Sequence, residues 1–224
     1  MNKLNINRGT DMAKLYSTII MLVLLVGCQS AYYSAMEKVG VHKRDIMLNR
    51  VESAQVAQQD AQQQFTSALE QLSQLISYEG GDLAAQYELI NDQYEASESS
   101  AQEVASRIAA IESVADALFD EWNDEIQQYS SNNLKQQSQQ KLKKTQRNYQ
   151  SLIKSMHRAK DRMAPVLSAL KDNSLYLKHN LNAQAIGALQ GEYKTIKRDV
   201  ESLVAEMNKA IEQSQQFIDL LQPE

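Results

Sequence analysis

Cysteine, glycine and proline are all scarce in this chain. Of 224 residues, one is Cys, seven are Gly and two are Pro. A single Cys excludes an intrachain disulfide, and with three His it leaves no structural zinc set of the usual kind. So few turn formers leave room for only a handful of chain reversals, which argues against a fold of many short elements. Aromatic residues make up only 6% and mean hydropathy is −0.49, lean for a thick globular core. What remains is rich in Gln, Ala, Ser, Glu and Leu, a composition suited to long helices packed along narrow apolar seams.

Net charge is −5. Lys3, Arg8 and Lys14 against Asp11 give the first 27 residues +2, so the remainder carries −7. An acidic body is poorly suited to nucleic acid or to broad electrostatic docking on anionic lipid. There is no glycine-rich phosphate loop and no ordered Ser/His/Asp set. His42, His157 and His179 are not at the HExxH or a comparable ligand spacing. Asp120, Glu121, Asp124 and Glu125 surround Trp122, where four acids on one turn suggest either a solvated helix end or a site for a hard cation. The reading assigns no catalytic residue, cofactor or metal.

Residues 1–27 read as a charged n-region, an apolar h-region and a cleavage site, with either Met1 or Met12 as the start. Lys14 precedes an apolar stretch from Leu15 to Val26, broken only by Ser17 and Thr18. That is 12 residues, against roughly 20 for a membrane-crossing helix. The stretch closes on Leu25-Val26-Gly27-Cys28, which resembles the bacterial lipobox. The resemblance implies diacylglycerol on the Cys28 thiol, cleavage after Gly27 and acylation of the new amine. Each acyl chain contributes about 0.8 kcal/mol per buried CH₂, so several make a stable anchor. Gln29, a residue other than Asp after the Cys, favours the outer membrane by the same resemblance. The domain reading is a lipoprotein signal peptide over 1–27 and a helical bundle domain over 28–224.

Four segments after the anchor carry apolar seams at alternating spacings of three and four. The first runs from Met47 through Phe65 to Leu75, and the second from Leu83 through Ile108 to Trp122. The third runs from Leu142 through Met156 to Leu177, and the fourth from Ile186 through Val200 to Leu221. Gly80-Gly81-Asp82 and Ser130-Ser131-Asn132-Asn133 supply stop and cap chemistry. Asn180-Leu181-Asn182 is a weaker break where the heptad phase slips. Pro165 falls inside the third seam and predicts a kink. The fold class is all-α: an elongated antiparallel coiled-coil-like bundle of four long helices, or alternatively three with the third very long.

Antiparallel pairing fixes a register at each break. About Gly80, Phe65 meets Tyr94 and Val51 meets Ile108. About Ser131-Asn132, Ile111 meets Leu152. About Leu181-Asn182, Met163 meets Val200. Charge agrees: residues 79–125 carry thirteen acids against Arg107, and residues 135–162 carry nine Lys or Arg against Asp161. A hairpin lays these flanks together and disfavours like-charged alternatives.

Several strings in the mature chain carry a resemblance. They are Tyr-Tyr-Ser-Ala-Met-Glu-Lys-Val-Gly-Val-His-Lys-Arg-Asp from Tyr32, Gly-Gly-Asp-Leu from Gly80 and Ala-Leu-Phe-Asp-Glu-Trp from Ala117. To these are added Leu-Tyr-Leu-Lys-His-Asn-Leu-Asn-Ala from Leu175 and Leu-Gln-Gly-Glu from Leu189. Over nearly all of residues 32–221 the chain resembles the bacterial lipoprotein family called domain of unknown function 2959. That resemblance implies an envelope location and supplies no activity, substrate or catalytic residue.

The expected role is a non-enzymatic envelope lipoprotein facing the periplasm, anchored through Cys28 and acting as a helical binding or spacer module. Its partners would be the membrane and an envelope protein or a second copy, with no nucleic acid. One alternative is membrane remodelling or envelope-stress response by assembly on lipid, for which Tyr32, Tyr33, Met36 and His42-Lys43-Arg44 could lie at the interface. Another is an enzyme or metal-handling protein whose site forms only in the fold.

Overall fold

The computed structural model describes residues 32–222, apart from positions 34, 39, 78, 79 and 81 and the side chain at 183. The signal segment and Cys28 lie outside the described residues. The described chain is helical, without strands. Its long helices are α1 (Lys43–Ile76), α2 (Leu83–Gln128), α3 (Asn132–His179) and α4 (Ala183–Leu221). At 1.5 Å per residue each is about 50–70 Å long. The chain therefore turns at Asn180–Asn182, and the alternative of a single very long third helix does not hold. None of the described helices is long and apolar enough to cross a membrane.

The starts of α2, α3 and α4 are each capped by the residue type that the sequence offered. Asp82 accepts from the amides of Ala84 (2.9 Å) and Ala85 (3.3 Å). Ser131 accepts from Leu134, and Asn182 from Gln184 and Ala185. Each satisfies N–H groups that a helix start leaves free. Gly80 has φ +151°, a backbone that side chains rarely adopt. α3 continues through Pro165. The bond lost there is to the Asp161 carbonyl, and both residues are exposed, so water can serve that oxygen.

The chain separates into two compact units, residues 1–46 and 47–224. In the first, residues 32, 33 and 35–38 are helical. This helix stops in a Schellman motif: Gly40 takes φ +84°, its amide donates to Glu37 O (2.9 Å), and that of Val41 donates to Met36 O (3.0 Å). This stop separates Tyr32, Tyr33 and Met36 from the first long helix, which begins at Lys43. Lys43 pairs with Glu37, Tyr32 packs edge-on against Tyr33, and Arg44 and His42 are exposed.

Residues 47–224 form an up-down-up-down bundle, and cross-helix contacts give its registers. Gln64 Nε2 donates to Gln93 Oε1 (2.9 Å), and an Arg50 guanidinium N–H to the Ala110 carbonyl, which sets α1 against α2 about Gly80. Trp122 Nε1 donates to Ser138 Oγ (2.9 Å) and Ser174 Oγ to Asn91 Oδ1 (3.0 Å) across α2 and α3. Ser151 Oγ donates to Gln213 Oε1 (2.8 Å), and Arg158 lies 3.4 Å from Glu206, across α3 and α4. α1 also lies beside α4, through Gln62–Asn208 (3.1 Å) and Gln190 Nε2 to the Ile76 carbonyl (2.8 Å). The three hairpins carry the registers that the seams predict, to within about one helical turn.

The core is those seams. Met47, Val51, Ala54, Ala61, Phe65, Ala68, Leu72 and Leu75 are all buried on α1. Ile108 and Ile111 are buried on α2, Leu152, Met156 and Met163 on α3, and Leu203, Met207 and Phe217 on α4. Removing this much apolar surface from water is the main driving force for association. The backbones of α2 and α3, and of α3 and α4, approach repeatedly within 8 Å; other described helix pairs do so at isolated points at most. α1 is held by its buried apolar side chains, with Gln62 and Gln64 also reaching to α4 and α2.

The α1 seam holds one polar residue. Gln58 is fully buried, and neither its Nε2 nor its Oε1 finds a hydrogen-bond partner. An unsatisfied buried amide costs about 1–3 kcal/mol. Gln58→Leu is therefore expected to stabilise the bundle by about 1–3 kcal/mol in chemical denaturation; a destabilised variant would show that this amide is satisfied in solution. Ile111 and Leu152 are both fully buried. Ile111→Asp is expected to cost about 3 kcal/mol or more, whereas Gln127→Glu, exposed and facing Lys135, should stay within about 0.5 kcal/mol. Equal, negligible effects at both positions would reject the α2/α3 register.

Candidate functional site

The structure disperses most residues that the sequence singled out. Cys28 lies outside the described residues. His157 Nε2 lies 2.8 Å from Glu112 Oε1, bridging α3 and α2 on a half-exposed face. His179 is exposed in the last turn of α3, about 33 Å along the helix from His157. Asp120, Asp124 and Glu125 are exposed and Glu121 is half-buried. Trp122, among them, is tied to Ser138 on α3. Among the described residues no group of three or more His, Cys, Asp or Glu could hold a metal ion.

Two titratable groups report on packing. Tyr149 sits between Phe119 (centroids 5.4 Å apart) and Phe217 (6.5 Å), so one aromatic cluster joins α2, α3 and α4. Burial pushes its phenol up to about 12, and the charges of Glu112 and Asp116 push the same way. Glu206 lies below the ordinary carboxylate range. The hydrogen bond from Lys209 (2.7 Å) is the main cause, opposed by desolvation and reinforced by the charges of Lys209, Arg158 and Arg162.

The described surface also holds a cleft between α3 and α4 near the Asn180–Asn182 turn, of about 500 Å³. Ala169, Asp172, Asn173 and Tyr176 line it from α3, and Ala188, Leu189 and Glu192 from α4. Ala169 and Ala188 are the small residues of its walls; Cβ atoms added at the nearby Gly187 or Gly191 would meet nothing within 4 Å. The register set by Ser151–Gln213 and Arg158–Glu206 places Asp172 across from Glu192 and Asn173 across from Gly191. Asn173 is 94% buried, being 6% exposed. Its Nδ2 donates to the Ala169 carbonyl (2.6 Å), and its Oδ1 has no partner. Sequence reading missed this place, because Asp172, Asn173 and Glu192 look like ordinary solvated positions.

With this geometry in hand, comparison places the chain. The family model described as "Protein of unknown function (DUF2959)" matches residues 32–221. The chain belongs to this family. The DUF2959 match spans α1 through α4, and so takes in the cleft and the aromatic cluster alike. Neither a curated protein nor a solved structure matches the chain.

The raised Tyr149 phenol has a consequence with a definite sign. The folded state holds its proton to about pH 12, while an unfolded tyrosine releases it near 10. Its contribution is fully present below about pH 10 and is lost as pH rises toward 12. Stability measured against Tyr149→Phe should therefore shift against the wild type between those values, with phenolate absorbance rising over the same range. A difference that stays constant from pH 8 to 12 would show an unperturbed phenol.

Proposed function

We propose that this protein is a non-enzymatic envelope lipoprotein: a helical binding or spacer module tethered by lipid at Cys28 and facing the periplasm, in the outer membrane. The observation that carries the reading is the Leu25-Val26-Gly27-Cys28 motif closing a 12-residue apolar stretch behind Lys14. The stretch is short for a spanning helix, and the Cys stands where acyl transfer requires a thiol. Gln29 in second place supports the outer-membrane assignment.

The bundle suits such a role. Its large apolar residues are mostly consumed by the internal seam, and the surface is largely Gln, Ser and charge. A body of this kind stays folded beside a membrane without depending on lipid contact, so the anchor supplies the attachment. Long antiparallel helices give it lateral faces for a partner, or reach between two envelope layers.

Metabolic labelling with a fatty acid, read beside cell fractionation, tests the anchor. Wild type is expected to take up label and partition with the outer membrane. Cys28→Ser should lose the label and accumulate as an uncleaved precursor, because cleavage at a lipobox follows lipid addition. Replacing residues 1–27 with an ordinary secretory signal and removing Cys28 should release a soluble periplasmic body. Label uptake that is absent in wild type, or unchanged in Cys28→Ser, would overturn the tether.

A further inference from the structure

The net charge of −5 conceals a face of opposite sign. Lys144, Arg147, Ser151, Lys154, Arg158 and Arg162 follow one another along α3 at spacings of three and four, so they share one side of that helix. Ser151 donates to Gln213 and Arg158 lies 3.4 Å from Glu206, which turns this side toward α4. The same register brings Lys209 level with Lys154, and Arg198 continues the α4 row toward the Asn180–Asn182 turn. All seven bases are exposed. The acids among them are Glu206, held by Lys209 (2.7 Å) and Arg158, and Asp199, beside Arg198 (3.4 Å). Asp161, farther round α3, lies 3.9 Å from Lys160. Seven bases against two acids leave the face with +5, and the α3 row alone runs about 27 Å.

The bundle does not balance this charge. Lys144, Arg147 and Lys154 make no ion pair or hydrogen bond among the described residues. Lys154, Arg158 and Arg162 succeed one another at intervals of four, where like charges cost stability. The acidic flank of α2 is on the other side of α3, where His157 meets Glu112. None of the exposed large apolar residues falls within residues 144–162 or 198–213. The face therefore lacks the buried apolar or aromatic centre of a tight protein–protein contact, and the stacking rings that single-stranded nucleic acid takes. Two neighbouring helices with axes about 8–10 Å apart present these bases as parallel rows on a shallow surface. Rows of that kind match a plane of negative headgroups, whose potential attracts each nearby Lys or Arg. Broad docking of an acidic body is unfavourable, but docking through this one face is not.

We propose that the α3/α4 face from Lys144 to Arg198 docks on an anionic lipid surface, through charge and without insertion. Lys144, Arg147 and Lys154 supply the unpaired cations, and Arg158, Arg162, Arg198 and Lys209 extend the field. The proposal rests on the tether at Cys28 for bringing a bilayer alongside, where a second attachment gains from high effective concentration. The docking itself needs only these bases.

Full-length lipidated protein in vesicles carrying a trace of phospholipid spin-labelled at the headgroup tests the docking. A fluorophore is placed at Gln140→Cys, one turn before Lys144 on the same side of α3, or at Ser106→Cys on α2; both positions are exposed. Flotation with phosphatidylcholine vesicles reads the tether alone. In vesicles of equal parts phosphatidylcholine and phosphatidylglycerol, the probe at position 140 is expected to be quenched and that at 106 not. Neither should be quenched in phosphatidylcholine, and high salt should release the quenching. The triple variant Lys144→Gln, Arg147→Gln, Lys154→Gln should lower the docked-to-free ratio roughly a hundredfold, with flotation and circular dichroism unchanged. The charge-conserving set Lys144→Arg, Arg147→Lys, Lys154→Arg should keep the quenching. A protein that fails to float with neutral vesicles would refute the tether, while quenching by anionic vesicles still reads the face. Quenching that is absent at position 140, insensitive to salt, equal at position 106 or unchanged in the triple variant would overturn the docking. Binding of polyglutamate in place of anionic vesicles would assign the face to an acidic protein and overturn it as well.

Discussion

Four apolar stripes, each on a helix of 34 to 48 residues, have to meet at one set of registers before anything else in this bundle can exist. A helix of this composition gains little from propensity alone and is held mainly by burying its stripe. The register decides which side chains reach one another. Tyr149 reaches Phe119 and Phe217, Trp122 reaches Ser138, and Asp172 comes to face Glu192 only because the stripes align as they do. Chain reversals at Gly80, Ser131 and Asn180–Asn182 are short, so a slip of even one turn would strain a loop as well as misplace a seam.

Much of this was legible in the sequence. Every residue named in the α1 seam, Gln58 included, is buried, because a persistent three-four spacing can satisfy only one face of one kind of element. The three hairpin registers were readable because short loops leave few ways to superpose two long stripes. What stayed hidden has physical reasons. Val114, Ile126 and Ile218 are buried beside the seam and not in it, since a four-helix bundle covers a wider stripe than a two-stranded coil does. Ser155, Asn173 and Ser174 are buried despite being polar, and a hydropathy pattern reads such residues as surface. The Gly40 break is a single residue whose backbone angle no spacing announces. The α3/α4 cleft exists only where two helices face each other, so it has no signature in either helix taken alone.

The attraction between the acidic flank of α2 and the basic flank of α3 is spread out. His157 meets Glu112, Lys135 donates to Gln127, and Arg158 turns to Glu206 on α4. Pairs this exposed contribute little individually. Their value is in excluding wrong partners, because the two flanks repel copies of themselves.

α1 differs from its neighbours in how it is held. Glutamines reach across to α2 and α4, while the backbones of α2, α3 and α4 pack more closely. With the proposed tether at Cys28, α1 is also the first long helix that a pull on the anchor would load. A force applied along α1 would run parallel to its two antiparallel neighbours, α2 and α4. Contacts arranged this way are sheared together and not peeled one by one, so the load is shared over the helix length. Glutamine pairs suit that duty, since a side-chain amide that slides past one partner can take up the next. The helix least tightly packed by its backbone can thereby yield along its length without coming away from its neighbours.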